Sequence, residues 1–215
     1  MHHKTAHSPK TEGRVIHWAR FYDLFGSFIS FGHDSALRKK LVALAAPQPG
    51  ESVLDVGCGT GAVTLAAKAK VKDIEAHGID ASPEMIEVAK EKAAKAGAEI
   101  DFQVALIEAI PFPDASFDLV TSSLMLHHLP DDLKRKGFAE IRRVLLPGGR
   151  FLAVDFAAES RLGLDSPVGH VLSLLGLWRG ENVVDKLTPM LKDAGFAEVE
   201  AIPTRHKNFA FVRAR

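Results

Sequence analysis

The apolar run Val53-Leu54-Asp55-Val56 leads directly into Gly57-Cys58-Gly59-Thr60-Gly61, and a helix-forming stretch follows. A strand that must turn this sharply into a helix needs backbone angles closed to residues with a Cβ, and glycine supplies them. The same glycines let a ligand approach the backbone where a Cβ would collide. One short segment therefore orders a strand, a turn and a helix, with a binding surface between them.

The rest of the chain repeats this alternation. Ser52 to Val56 reads as a short buried strand, Gly61 to Lys70 as a helix and Ile74 to Asp80 as a strand. Pro83 to Lys95 reads as an amphipathic helix, with Ser82 as its N-cap and Pro83 in its first turn. Ile100 to Ala105 and Phe117 to Ser122 continue as strands, and Asp131 to Val144 as a helix. Arg150 to Phe156 is a further strand after the Pro147-Gly148-Gly149 turn. Parallel strands need crossover connections of this length, so an α/β fold is expected, a parallel sheet with helices on both faces. Near the end, Ala197 to Ile202 and Asn208 to Ala214 are separated by only a few residues and should pair antiparallel.

With 215 residues, 47% of them hydrophobic, the chain can bury one substantial core. The expectation is a flexible tail over residues 1–13 and a single domain over 14–215. Within it, 14–46 forms an N-terminal helical cap and 157–182 a lid-like insertion. The cap is rich in aromatic residues, including Trp18, Phe21, Tyr22, Phe25 and Phe28. Lys plus Arg equals Asp plus Glu at 27 each, which leaves no overall basic field for nucleic acid. The single cysteine, Cys58, excludes an intrachain disulfide framework. Residues 1–17 are polar, unlike a signal peptide, and no run reaches the length of a membrane span. Cytoplasmic localisation is expected.

Asp80 follows Gly61 by 19 positions, at the end of the next strand, where a carboxylate can accept bonds from ribose hydroxyls. By pattern alone, Gly57, Gly59 and Ala62 also satisfy a dinucleotide fingerprint, so the glycines do not decide between cofactors. Asp55 discriminates better. At the mouth of the turn its charge would repel a pyrophosphate but attract the ammonium group of an amino acid. The bland alternative is an aspartate that only caps the turn.

Leu54 to Gly61 resembles motif I of the class I S-adenosylmethionine-dependent methyltransferases. Gly78-Ile79-Asp80-Ala81-Ser82-Pro83-Glu84-Met85 resembles the motif that follows it. Pro111 to Val120 resembles the family's approach to the fourth strand, and Val144 to Arg150 its entry into the fifth. The four motifs occur in order across roughly residues 50 to 156. The resemblance implies a Rossmann-like, doubly wound sheet of seven strands with the last antiparallel, and S-adenosyl-L-methionine as cofactor. It implies that Asp55, Gly57 and Gly59 hold the methionine portion and Asp80 the ribose, with Cys58 also among the cofactor-binding positions. Ala81 or Met85 would meet an edge of the adenine, and Ser122 or Ser123 the cofactor's inner face. The family commonly has an acidic residue where this chain has Leu106, which cannot accept the adenine amino group. The backbone N–H of Ile107 can still contact the ring, and Glu108 either substitutes or is simply solvated.

Methyl transfer from a sulfonium is displacement at an activated carbon, so positioning supplies much of the acceleration and a strong base is optional. Tyr22, His127 and His128 are the candidates to hold or relay a proton; for the histidines a structural role is the alternative. The segment Ser122 to Leu129 lacks the Pro-Pro-aromatic element associated with methylation of base amines and has no carboxylate cluster for magnesium. A small acceptor is therefore expected, hydrophobic and quinone-like or phenolic. Trp18 to Leu41 resembles, over a short span, the N-terminal region of quinone-biosynthesis C-methyltransferases. In the insertion, Val168, Val171, Leu172, Leu174, Leu175, Leu177 and Trp178 would cover such an acceptor, pack in the core or form a homodimer interface. Competing readings are a phospholipid N-methyltransferase in peripheral contact with a membrane, a non-catalytic S-adenosylmethionine-binding protein and an NAD-dependent reductase.

Overall fold

A computed structural model describes residues 34–157, 183–204 and 209–215. Tyr22, the tail, most of the expected cap and nearly all of the 157–182 insertion lie outside the described residues. In chain order the elements are α1 (Asp34–Ala45), β1 (Ser52–Val56), α2 (Ala62–Lys70), β2 (Glu75–Asp80), α3 (Pro83–Ala96), β3 (Asp101–Val104) and β4 (Phe117–Ser123). A single 3-10 turn at Leu126–His128 precedes α4 (Asp131–Val144), β5 (Leu145–Phe156), α5 (Val183–Asp193), β6 (Val199–Pro203) and β7 (Phe209–Ala214).

The seven strands form one sheet in the order β3-β2-β1-β4-β5-β7-β6. Strands β1 to β5 are parallel, while β7 runs antiparallel to both β5 and β6. This is the α/β architecture expected from the alternation, and the short terminal connection produces the antiparallel pair foreseen for it.

Strand periodicity sorts side chains between two layers. Leu54, Val56 and Val120 join Phe138 and Ile141 of α4 and Leu187 and Leu191 of α5 on one face. Val53, Leu119 and Leu152 join Leu37 and Leu41 of α1 and Val63 and Ala67 of α2 on the other. A smaller cluster of Cys58, Ile86, Ala89, Ala93 and Phe102 seats α3 beside Leu65 of α2. Both faces are covered, which is why the central strands read as continuous apolar runs.

The N-cap acts as anticipated at α3, and the structure adds a glycine stop at its other end. Ser82 Oγ accepts from Met85 N at 3.3 Å, and the helix ends at Gly97 with φ 61°. Strand β5 begins earlier than its glycines suggested. Leu145 pairs with Phe117 before the register slips, and regular pairing resumes at Leu119 with Arg150. Gly148, at φ 82°, absorbs the slip. Helix α5 buries Val184, Leu187, Met190 and Leu191 despite the interior Pro189.

Strand order reverses between β1 and β4, whose neighbours β2 and β5 lie on opposite sides. Open α/β sheets bind ligands at the carboxyl ends of the strands at such a switch. The ends of β1, β2, β4 and β5 carry Val56, Asp80, Ser123 and Phe156.

Candidate active site

The glycine turn leaves β1 with its amides tied to β2. Gly57 N and Cys58 N both donate to the carbonyl of Ile79, at 2.8 and 3.0 Å, and Gly59 N donates to Asp80 Oδ2 at 2.9 Å. Gly57 has φ 69°, and a Cβ there would run into the side chain of Met125, coming within 2.9 Å of its Cβ. Gly59 has φ 53°, and a Cβ there would meet nothing within 4 Å. One glycine thus admits a protein side chain, and the next opens on clear space. Cys58 is buried, and burial first, with Asp80 and Asp55 nearby, pushes its thiol well above the ordinary value.

Two carboxylates flank the turn. Asp55 is 1% exposed; Thr64 Oγ1 donates to its Oδ2 at 2.8 Å and Thr121 Oγ1 to its Oδ1 at 2.9 Å. Its pKa is raised to about 6 by burial, which outweighs the two hydroxyls, with the charge of Asp80 adding to the rise. Asp80 accepts from Gly59 N through Oδ2 and from Ser82 N through Oδ1, each at 2.9 Å, and so clasps the turn to the start of α3. Burial raises its pKa as well, against the pull of those N–H donors. Each carboxylate keeps lone pairs beyond the bonds it already accepts.

On the other side of the switch, Thr121, Ser122 and Ser123 end β4. Thr121 turns to Asp55, whereas Ser122 Oγ is buried and has no hydrogen-bond partner among the described residues. Ser123 is half-buried. Leu124 follows at φ 52°, in the left-handed region rarely used by leucine, and leads into the turn that holds the two histidines.

His127 Nδ1 lies 2.9 Å from Oδ1 of Asp155 on β5, and His127 N donates to Oδ2 of the same carboxylate at 3.2 Å. Phe156 N donates to Oδ1 at 2.8 Å. The Asp155 side chain has no exposure and that of His127 has 13%. Burial alone would raise the Asp155 carboxyl, but His127 and the N–H donors hold it below its ordinary value. The His127 ring lies 3.9 Å from that of His128 and 4.8 Å, edge to face, from that of Phe156. Phe209 extends the row, 5.2 Å from Phe156.

The remaining predicted positions lie along the β2 and β3 rim. Ala81 and Leu106 are partly exposed, while Met85 and Ile107 are buried. Leu106 bridges to Ala109, and the Ile107 side chain fills the space over Gly137 of α4. Glu108 is half-buried. The structure therefore gathers Asp55, Gly57, Cys58, Gly59 and Asp80 around one turn and sets His127 and His128 after β4. Asp155, Thr64 and Thr121 are absent from the sequence-derived site. Asp155 had one usable signal, a charged residue inside the apolar run Phe151 to Phe156, where burial is costly unless a partner is present.

A family profile described as a methyltransferase domain matches residues 53–149. The solved YcgJ protein from Bacillus subtilis is 32% identical, with a TM-score of 0.60, and the alignment covers 79% of this chain and 73% of that one. The curated sequence of that Bacillus protein is described as an uncharacterized methyltransferase. This chain belongs to the class I S-adenosylmethionine-dependent methyltransferases. Membership sets aside the nicotinamide reading that the glycines alone left open.

The chain is also 37% identical over 135 residues to a demethylmenaquinone methyltransferase from Thermus thermophilus, covering 63% of this chain and 60% of the relative. It is 38% identical over 163 residues to an arsenite methyltransferase from Halobacterium salinarum, covering 75% of this chain and 41% of the relative. It spans about half the length of these curated relatives. The open space beside Gly59 and the buried Ser122 hydroxyl, which has no partner among the described residues, fit the needs of the family's cofactor, S-adenosylmethionine. A buried polar atom without a partner is uncommon and suits a ligand donor or acceptor. No helix among the described residues is long and apolar enough to cross a membrane.

Proposed function

We propose that this methyltransferase moves the methyl group of S-adenosylmethionine to a small, hydrophobic, ring-bearing acceptor of the quinol or phenol class. The observation that carries the acceptor class is the aromatic row His128, His127, Phe156 and Phe209 beside β5, with ring centroids 3.9, 4.8 and 5.2 Å apart in succession. Phe156 and Phe209 are buried at the inner end of this row and the two histidines are partly exposed, so a flat acceptor ring would pack against the histidine end. The Thermus relative, by its name, acts on demethylmenaquinone, which is a molecule of this kind.

When bound, the cofactor supplies a methyl group on a sulfonium, a carbon already activated for displacement. In this reading Asp80 accepts from the ribose hydroxyls. The backbone of Gly57, Cys58 and Gly59 lines the methionine portion, and Asp55 supplies negative charge to its ammonium. Ala81, Met85, Leu106 and Ile107 border the adenine, and Ser122 and Ser123 face the inner side. His127 takes the proton that a hydroxyl-bearing ring must lose to become a strong nucleophile, with His128 and Tyr22 as the other proton-handling candidates.

Arsenite is the acceptor named for the Halobacterium relative, but a soft arsenic centre calls for thiolates. The single cysteine of this sequence, Cys58, is buried and holds its proton tightly. An acceptor with a prenyl tail would bring the protein to a bilayer surface, and co-sedimentation with liposomes containing that acceptor tests this contact. The decisive experiment offers labelled S-adenosylmethionine with a prenylated naphthoquinol, a simple phenol, arsenite or phosphatidylethanolamine and identifies methylated products by mass spectrometry. Transfer to the naphthoquinol or phenol is expected. Transfer to arsenite or the lipid amine alone overturns the proposed class.

A further inference from the structure

Asp155 is an expensive residue where it stands. It sits in the apolar strand Phe151-Leu152-Ala153-Val154-Asp155-Phe156, and its side chain is wholly buried. A carboxylate survives such burial only when its oxygens are satisfied. Two of its three N–H donors belong to His127: Oδ1 takes the ring at Nδ1 and Oδ2 the backbone amide of the same residue. The third is its own strand neighbour, Phe156 N. His128 on one side and the edge contact with Phe156 on another restrict the imidazole plane. An ionised carboxylate accepts hydrogen bonds and donates none, so the Nδ1 it touches must carry the hydrogen.

We propose that Asp155 is a positioning residue of the methyl-transfer site: it locks His127 in the Nδ1–H tautomer and leaves the Nε2 lone pair to take a proton from the methyl acceptor. This rests on the reading of His127 as the proton acceptor, and it adds the group that makes that reading chemically workable. Among the described residues, Nε2 of His127 makes no hydrogen bond. The step is a plain proton transfer. The O–H bond of the acceptor breaks, its electron pair stays on oxygen, and the proton forms a bond with Nε2. The resulting imidazolium is stabilised by the carboxylate at Nδ1, the arrangement in which a buried acid orients a catalytic base without itself taking the proton.

A merely structural Asp155 would cap the turn at Leu126–His128 and have no effect on the ring's tautomer. Nitrogen-15 NMR of histidine-labelled protein separates the two roles, with His127→Gln used to assign the signal. The expected wild-type spectrum shows a protonated Nδ1 and a pyridine-type Nε2 at neutral pH. In Asp155→Asn the amide nitrogen presents a donor, and the tautomer is expected to reverse. Turnover with the prenylated naphthoquinol should fall about 100-fold or more in this variant. Its S-adenosylmethionine affinity, read by calorimetry, should stay within about twofold.

A wild-type ring protonated at Nε2 and bare at Nδ1 overturns the proposal, and that measurement needs neither a folded Asp155 variant nor a known acceptor. Turnover of Asp155→Asn within about threefold of wild type also overturns it. If the NMR result holds but no ring acceptor is methylated, the assigned acceptor class fails while the locked tautomer stands.

Discussion

Asp55 carries charge at a site that resists it. Its carboxyl has a pKa of about 6 in the fold, raised from 3.8 chiefly by burial. The ionised form is thus disfavoured in the native state relative to the unfolded chain. Below about pH 4 both states are protonated and the residue costs nothing. The cost grows between about pH 4 and 6 and is complete above, reaching roughly 3 kcal/mol at 1.4 kcal/mol for each tenfold change in proton affinity. Asp55→Asn should therefore gain on wild type in urea unfolding as pH rises from 4 to 7, one threonine hydroxyl turning to accept from the new amide. A constant difference across that range would contradict the assignment. The two neighbouring glycines should separate stability from binding. Gly57→Ala combines the left-handed backbone penalty with overpacking against Met125 and should cost roughly 2 to 5 kcal/mol. Gly59→Ala meets no protein atom and should cost only about 1 to 2 kcal/mol, yet it should weaken S-adenosylmethionine binding more than Gly57→Ala weakens it for each kcal/mol of stability lost. Denaturant titration and calorimetry on the pair test this ordering.

Single side chains tie whole elements to the site. Arg143 in the last turn of α4 donates to the carbonyls of Ile110 and Phe112 at 2.9 Å and to Asp114 at 2.8 Å, while Glu140 accepts from Ile110 N at 2.9 Å. This pins the connection between β3 and β4, which contains Leu106 and Ile107, to the helix. Arg143→Ala leaves two carbonyls without their donor and should lower stability by about 1 to 3 kcal/mol. Hydrogen exchange at Ile110 should quicken more than at Phe151 in the core, and equal change at both would show that the staple is not local. Element boundaries were legible where a local device sets them, as Ser82 does for the start of α3. Helix α5 was not, because Pro189 mimics a breaker and the helix is held by Leu187 and Leu191 against the sheet rather than by its own propensity.

At the scale of the molecule, the candidate site exists only because four parallel strands end on one edge. Asp55, Gly59, Asp80, Ser122, His127 and Asp155 meet there from separate units of the chain. A ligand that binds this edge stabilises every strand that contributes to it. S-adenosylmethionine at about 100 times its Kd should add roughly 2.7 kcal/mol and raise the melting temperature by about 5 to 10 °C. NAD at the same concentration should give no shift, and equal shifts would remove the distinction drawn from Asp55.

The sequence by itself determined the alternation of β1 to β5 with helices α2 to α4, the turn at Gly57 to Gly61, the placement of Asp80 at the next strand end and the antiparallel close. These follow from contiguous spacing, from backbone angles that glycine alone adopts cheaply and from connection length. Tertiary structure alone decided that Asp55 is gripped by Thr64 and Thr121, that Asp155 holds His127, and that Ser122 is buried without a partner among the described residues. Such contacts depend on strand register and on which face of the sheet a side chain takes. Both are set by packing between segments far apart in the chain, so a local pattern such as the charge at Asp155 can call for a partner but cannot name it.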